Sequence, residues 1–277
     1  MATLVTFHAH PDDECIACGG VMRAAADAGH RVVLVVATGG EHGEIVADVL
    51  APGQTLAQRR HEETLESARI LGVARTEFLG YVDSGMVGTE TNTAPGAFAA
   101  ADVEEAAGKL AVILRDEAAD VVTVYDDHGG YGHPDHVQVH HVGMRAAEIA
   151  GTPRVFQSTM NRDEMRRLMA AAAQAGLMGD GDGPDEADLH SMGTPESDLT
   201  TRVDVTPWIA AKRDAMRAHS SQIAGDSFFL ALPDEAFASA FGTEWFLRPG
   251  APAGGPFETD LFSDEPSRSE GRVPSAS

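Results

Sequence analysis

His8-Ala9-His10-Pro11-Asp12-Asp13-Glu14 follows a short apolar run (Leu4, Val5, Phe7) and precedes a helix-like run from Gly19 to Ala28. Two imidazoles and three carboxylates this close together are costly to bury unless something pairs with them. A divalent metal is such a partner. His10 and Asp13 offer one nitrogen and one oxygen ligand on a single tight turn, and Asp12 is left beside the metal as a candidate base. A third ligand has to come from a second stretch. Gly129-Gly130-Tyr131-Gly132-His133-Pro134-Asp135-His136 is the strong candidate, because it too follows an apolar run (Val121, Val122, Val124) and opens a helix-like run.

Outward from these two motifs the chain alternates. Strand-like runs cover Thr3 to Phe7, Arg31 to Ala37, Thr76 to Leu79, Val121 to Tyr125 and Arg154 to Gln157. They are short, apolar and Val-rich, as parallel strands covered on both faces are. Helical patterns lie between them, from Gly19 to Ala28, Leu56 to Leu71, Val103 to Glu117 and His136 to Ala150, with Gly29 and Gly72 where C-terminal caps are expected. The expected class is α/β, a Rossmann-like doubly wound and mostly parallel sheet with helices on both faces. Ligands of such sheets bind beyond the carboxyl ends of the strands, near the point where strand order reverses. Both motifs come directly after strand runs, so they face each other if the first and fourth strands are neighbours.

The rest of the chain reads as a less regular C-terminal part. Asp163 to Ala175 has a helical pattern, Gly176 to Ser191 reads as a loop, and Arg202 to Val205 as an edge strand. Thr206-Pro207 opens a helix to about His219, with Thr206 as N-cap. Phe228 to Trp245 holds much of the remaining aromatic content and is expected to pack on the sheet. The expected organisation is a single catalytic domain over 1–248, with its core sheet in 1–158 and an elaboration in 159–248. Residues 249–277 read as a flexible acidic tail.

The chain has 277 residues, is 43% hydrophobic, and carries a net charge of −23 from 20 basic and 43 acidic side chains. That balance argues against nucleic acid or an anionic membrane as partner. Asp180 to Asp188 and Glu258 to Glu270 contribute local acidity as loops or tails. Met1 to Phe7 lacks the basic and apolar regions of a signal peptide, and no run approaches the ~18 apolar residues of a membrane span. Two cysteines cannot build a disulfide framework, so a cytoplasmic protein is expected. Cys15 and Cys18 form a C-x-x-C pair beside the first motif. It reads as packing residues in the first turn of a helix before it reads as a redox pair or extra metal ligands. A homo-oligomer is compatible with everything above.

Three further features bear on the site. Thr38-Gly39-Gly40-Glu41-His42-Gly43-Glu44 is not a dinucleotide loop, because Thr stands where the first Gly is needed and Glu41 and Glu44 repel a pyrophosphate. It reads as a site-edge loop whose carboxylates either bond sugar hydroxyls or are solvated. The long segment Tyr81 to Ala101 places Asp83-Ser84-Gly85-Met86 on the same rim. His136 and His140 stand four apart on a helix, also a metal-ligand spacing, so His133, His136, His140 and His141 offer more imidazoles than one zinc needs.

A catalytic zinc site commonly holds three protein ligands and keeps a position open for water. His10, Asp13 and His136 satisfy the count, and iron(II) accepts the same set. Such a metal lowers the pKa of its water to about 7 and polarises a bound carbonyl. Asp12 is placed to take the water's proton. His133 is a candidate to stabilise the tetrahedral intermediate or protonate the leaving nitrogen, oriented by Asp135, and Tyr131 to offer its hydroxyl to the oxyanion.

Together His10-Pro11-Asp12-Asp13-Glu14 and His133-Pro134-Asp135-His136, about 120 residues apart, resemble the LmbE-like, or GlcNAc-phosphatidylinositol de-N-acetylase-like (PIG-L), zinc deacetylases over residues 3 to 158. The resemblance implies a Rossmann-like fold, removal of an N-acetyl group from an amino-sugar conjugate, and zinc on His10, Asp13 and His136. It also implies Asp12 as base, assisted by His133 and Tyr131. Gly43-Glu44, Arg60, Asp83 to Met86 and Tyr125 to Gly132 are similar to the mycothiol-pathway branch, which includes a deacetylase and an S-conjugate amidase. That likeness implies Arg60 and Asp83 as binders of sugar or inositol hydroxyls, and Glu44 of the rim loop is the further candidate. It leaves an amidase acting on a larger acyl group as the alternative. Asp127-His128 departs from that branch, where Pro or Glu followed by Asn is usual. A non-catalytic sugar-binding protein is the reading of a different class, and a base beside the metal argues against it.

Overall fold

The computed structural model describes residues 1–174 and 186–263. Seven strands form one sheet: β1 (Thr3–His8), β2 (Arg31–Thr38), β3 (Arg75–Tyr81), β4 (Val121–Tyr125), β5 (Arg154–Thr159), β6 (Thr201–Asp204) and β7 (Thr243–Leu247). Their order is β3-β2-β1-β4-β5-β7-β6. The first five strands are parallel, and β7 runs antiparallel to both β5 and β6. The order reverses between β1 and β4, which pair in register at Leu4↔Val121, Val5↔Val122 and Thr6↔Thr123.

Helices connect the parallel strands: α1 (Asp13–Ala17) and α2 (Gly19–Asp27) after β1, α3 (Leu56–Leu71) after β2, and α4 (Val103–Asp116) after β3. The turn α5 (Gly129–Gly132) and α6 (Pro134–Ala150) follow β4. Successive strand side chains point to opposite faces, which divides the core in two. Leu4, Val32 and Leu34 pack with α2, α3 and the C-terminal part, while Val5, Val33 and Val35 pack with α4 and α6. Local signals set the ends of α3: a capping box between Thr55 and Gln58 at the start, and Gly72 at φ 77° at the finish.

Several expectations for the C-terminal part need correcting. The helix expected from Thr206 begins as a 3-10 turn (Thr206–Trp208) and is α only over Ile209–Ala218. Thr206 is not its N-cap; its own N–H is capped by Asp204 Oδ1 at 2.9 Å. The order along this part is α7 (Arg162–Gln174), α8 (Glu186–Ser191), α9 (Ile209–Ala218), α10 (Phe228–Ala231) and α11 (Asp234–Phe241). Part of the stretch expected as a loop over 176–191 is therefore helix, and 175–185 lies outside the described residues. Trp245 belongs to β7, a strand that the aromatic content of its surroundings concealed.

The chain beyond 248 is not a free tail through 263. Leu261 is buried in the core, Phe262 stacks on His30 at 4.1 Å between ring centroids, and Glu258 accepts from Arg248 and Thr201. Backbone bonds of Glu258 to Thr200 and Arg202, and one from Arg154 Nη1 to Phe262 O, add to these contacts. Residues 264–277, with most of the expected acidic run, lie outside the described residues. Among the described residues no helix is long and apolar enough to cross a membrane.

Gly143 marks where α6 meets the sheet. A Cβ there would stand 2.2 Å from Val124 Cγ1. Gly143→Ala is expected to push α6 off β4 and destabilise the protein by about 1–3 kcal/mol, read as a lower urea midpoint at unchanged slope.

Candidate metal centre

The parallel β1–β4 pair delivers both motifs to one edge of the sheet, and three donor atoms converge there. His10 Nδ1 and Asp13 Oδ2 are 3.4 Å apart, His136 Nε2 and Asp13 Oδ2 3.4 Å, and His136 Nε2 and His10 Nδ1 3.3 Å. A tetrahedral ion about 2.0–2.1 Å from each ligand requires edges of about 3.3–3.4 Å. The triangle therefore has the dimensions of one face of such a polyhedron, and the residues present fit a divalent metal. His133 adds a third imidazole with donor nitrogens within 4.8 Å of those of His10 and His136, a looser set than the one containing Asp13.

Each part of the triangle is held from behind. His10 Nε2 donates to Asp135 Oδ2 at 3.1 Å, which leaves Nδ1 as the ring nitrogen that could bind a metal. Asp135 is fully buried and also accepts from the Ser84 N–H and hydroxyl, at 2.9 and 2.5 Å. Asp13 Oδ2 accepts from the His10 N–H at 2.8 Å. Burial opposes ionisation of Asp13, but His136 and His10 outweigh it and hold its carboxyl well below the usual range. The ring of Tyr125 stacks on His136 at 4.6 Å, and its hydroxyl lies 2.8 Å from His8 Nδ1. Gly129, at φ 69°, is required by close approach: a Cβ would meet His136 Cβ at 2.6 Å.

Asp12 stands beside the triangle. Its backbone is left-handed (φ 96°, ψ −28°), which few non-glycine residues adopt. Burial pushes its carboxyl up to about 6, against the pull of Arg60, whose Nη2 is 3.3 Å from Asp12 Oδ2. Burial, with His10 and His136 nearby, lowers His133 to about 4. The Asp135 N–H donates to His133 Nδ1 at 3.2 Å, so the neutral ring carries its proton on Nε2. This corrects the role expected of Asp135: its backbone, not its carboxylate, bonds His133, and the carboxylate serves His10 and Ser84. The Tyr131 ring lies edge-on to His136 at 4.9 Å and is 44% exposed, so it borders the open side.

The expected hydroxyl binders are placed differently from one another. Arg60 is neither a surface arginine nor free: it is buried, donates to Gly40 O and Pro11 O, and clamps the first motif to the rim loop. Asp83 faces the site, with Oδ1 3.5 Å from His10 Nε2, and accepts from the Gly85 and His42 N–H groups. Burial works against its ionisation, but the bonds from His10 and these amides bring its carboxyl down. Glu44 is exposed, and its backbone carbonyl accepts from Gln222 Nε2 at 2.8 Å. Glu41 is the carboxylate that joins the site network, accepting from the Asp83 N–H at 2.9 Å. A cleft of about 800 Å³ is bounded by Thr38, Glu41, His61 and Tyr81, and of the residues that join the site network only Glu41 lines it.

His140 and His141 stand away from the triangle. His140 Nδ1 bonds Tyr125 O at 3.0 Å, and His141 is exposed. Cys15 and Cys18 are both free and fully buried. Burial pushes Cys18 up to about 12 and Cys15 well above its ordinary value, so without a metal both are protonated thiols; Cys15 lies with Glu14 and His219 in a second buried donor set, apart from the triangle.

A buried cation-sized donor set with a carboxylate at its side, at the carboxyl edge of a parallel sheet, is the arrangement of a metal-dependent hydrolase. The chain belongs to the family described as PIG-L, GlcNAc-PI de-N-acetylase, which matches residues 5–147. Membership makes it an N-deacetylase, a hydrolase of linear amides. It is 38% identical to the 1D-myo-inositol 2-acetamido-2-deoxy-alpha-D-glucopyranoside deacetylase of Streptomyces avermitilis, over 94% of this chain and 96% of that protein. The protein of the same description from Nocardiopsis dassonvillei is 40% identical, over 92% and 98%. The relationship thus extends well past the motifs, into the C-terminal third. Among solved structures, the N,N'-diacetylchitobiose deacetylase of Pyrococcus horikoshii shares the fold, with a TM-score of 0.55 and 24% identity over 89% of this chain and 83% of that one.

Two outcomes are expected. Asp135→Ala unfastens the His10 ring and should weaken metal affinity about 10–100-fold in a chelator competition. Cys15→Ser with Cys18→Ser should leave the metal content of the purified protein unchanged, and loss of the metal would assign the thiols to the site.

Proposed function

We propose that this chain is a zinc-dependent deacetylase that removes the acetyl group from a GlcNAc-inositol conjugate. The ligands are His10, Asp13 and His136, and Asp12 is the general base. The carrying observation is the donor triangle of 3.3–3.4 Å edges with the Asp12 carboxylate beside it. The substrate class is supported by relatives named for that reaction that align over more than nine-tenths of the chain.

A zinc ion held by these three residues would polarise the amide carbonyl and acidify an attacking water. Asp12 takes the proton of that water as its oxygen adds to the acetyl carbonyl. A base this close to cationic partners is held in place by Arg60 as much as it is tuned by burial. The His133 Nε2–H and the Tyr131 hydroxyl are the donors for the carbonyl oxygen as negative charge builds on it. Burial and the carboxylates of Asp13, Asp12 and Asp83 keep the Tyr131 hydroxyl protonated. The C–N bond then breaks, the proton held by Asp12 passes to the leaving nitrogen, and acetate and the free amine remain. Asp83, on the rim with two backbone bonds fixing its carboxylate, is the best-placed acceptor for substrate hydroxyls. Arg60 acts by holding Asp12 and the rim loop.

The test pairs metal content with acetate release from 1D-myo-inositol 2-acetamido-2-deoxy-alpha-D-glucopyranoside, with zinc and iron(II) loaded separately. One metal per chain and acetate release are expected. Asp12→Ala should lower kcat by about 10²–10⁴ while metal content stays the same. Unchanged turnover in that variant would falsify the assigned base. A loaded protein that ignores the acetyl substrate but cleaves a bulky cysteinyl amide would be an amidase instead.

A further inference from the structure

His219 and Glu14 form a buried pair that no step above uses. His219 Nε2 lies 2.6 Å from Glu14 Oε1, and neither side chain is exposed at all. They are 205 residues apart in sequence, so this contact joins the C-terminal part to the first motif. Glu14 Oε1 also accepts from the Ser67 hydroxyl at 2.5 Å, and its other oxygen, Oε2, accepts from the backbone N–H of Asp12 at 3.0 Å.

That last bond falls on the strained residue. A non-glycine residue at φ 96° persists only where its surroundings over-determine it. Beyond Asp12, its carbonyl accepts from the Cys15 and Ile16 N–H groups, which fixes one side of the peptide. The Asp12 N–H is the other handle, and Glu14 holds it. Glu14 can do so only if its own carboxylate is fixed, and among the described residues Ser67 and His219 are its side-chain donors in a fully buried pocket.

His219 is in turn fixed by the turn it begins. The Ser221 N–H and hydroxyl and the Ser220 hydroxyl all donate to the buried Glu63 of α3. The Val46 N–H donates to Ser221 O, and Gln222 Nε2 to Glu44 O, so the same turn carries the rim loop. Among the described residues His219 Nδ1 has no hydrogen-bond partner, which leaves the bond to Glu14 as the directional contact of the ring.

We infer that His219 is a positioning residue: through Glu14 it holds the backbone of Asp12 in the left-handed turn that aims the carboxylate at the attacking water. This rests on the role of Asp12 proposed above. His219 lies outside the donor triangle of His10, Asp13 and His136, so its loss should lower kcat and spare KM and metal content.

The test compares full-length wild type, His219→Phe and His219→Gln. Phe fills the space without a donor; Gln places an amide N–H where Nε2 stood. His219→Phe should lose about 10²-fold in kcat, the cost of misplacing a reacting group by about 1 Å, with KM within about twofold and one metal per chain. His219→Gln should recover most of the loss. Amide exchange of the Asp12 N–H is read in parallel and should quicken about tenfold in His219→Phe but not in His219→Gln, while β1 amides stay unchanged. Exchange reports on the lock even if the wild type releases no acetate, so failure of the deacetylase reading and failure of this one are separable. If His219→Phe does not fold, Ser67→Ala carries the same comparison, and a faster Asp12 amide with lower kcat is expected. Unchanged Asp12 exchange in the folded variant, or equal loss of kcat in the Phe and Gln variants, overturns the inference.

Discussion

The parallel pairing of β1 with β4 is the constraint on which the rest depends. Three rungs between Leu4–Thr6 and Val121–Thr123 set two strand ends level, and each end opens into a polar turn. Because the sheet order reverses at this pair, no crossover helix covers the gap beyond it. His10 and His136, 126 residues apart in sequence, come within 3.3 Å of each other as a result. Shifting the register by one residue would turn Val5 and Phe7 to the wrong face and part the two motifs. The Val-rich core therefore fixes the metal-sized triangle, although no residue of the triangle belongs to that core.

Concentrating so much charge at one strand edge has to be compensated locally. The solution is a layered one. Asp135 sits behind His10, Ser84 behind Asp135, and the 84–92 loop wraps the Ser84 carbonyl. On the other side Arg60 ties Pro11, Asp12 and Gly40 together, and Glu63 of the same helix receives the C-terminal turn. Buried carboxylates each have named donors, as burial demands. The C-terminal part is thus a support for the first motif as much as an extension of the sheet.

Much of this was legible in the sequence, for reasons that can be named. Five strand-like runs and four helical patterns map onto β1–β5 and the helices between them; in β1, β2 and β4 burial on both faces writes nearly continuous apolar runs, whereas β3, only half-buried, has no valine. The candidate ligands were legible because His, Pro and Asp cluster directly after strands. What could not be read was long-range or compensated. Glu14 looked like one more carboxylate of its motif, since its partner His219 lies in another part of the chain. Arg60 has the spacing of a helix-surface residue and is buried only because the rim loop folds over it. Asp135 was assigned to its sequence neighbour His133, whereas its carboxylate turns toward His10. β7 hid among helix formers, and the ordering of 249–263 rests in part on two apolar residues, Leu261 and Phe262, too few to register in composition.

The mechanism proposed above needs two histidines and one aspartate, and no cysteine, around the metal. Zinc K-edge X-ray absorption on the zinc-loaded full chain tests it most directly. The predicted result is a first shell of nitrogen and oxygen only, at about 2.0–2.1 Å, with the outer-shell scattering of two imidazoles. A sulfur scatterer at about 2.3 Å, or a shell without imidazole, would contradict it.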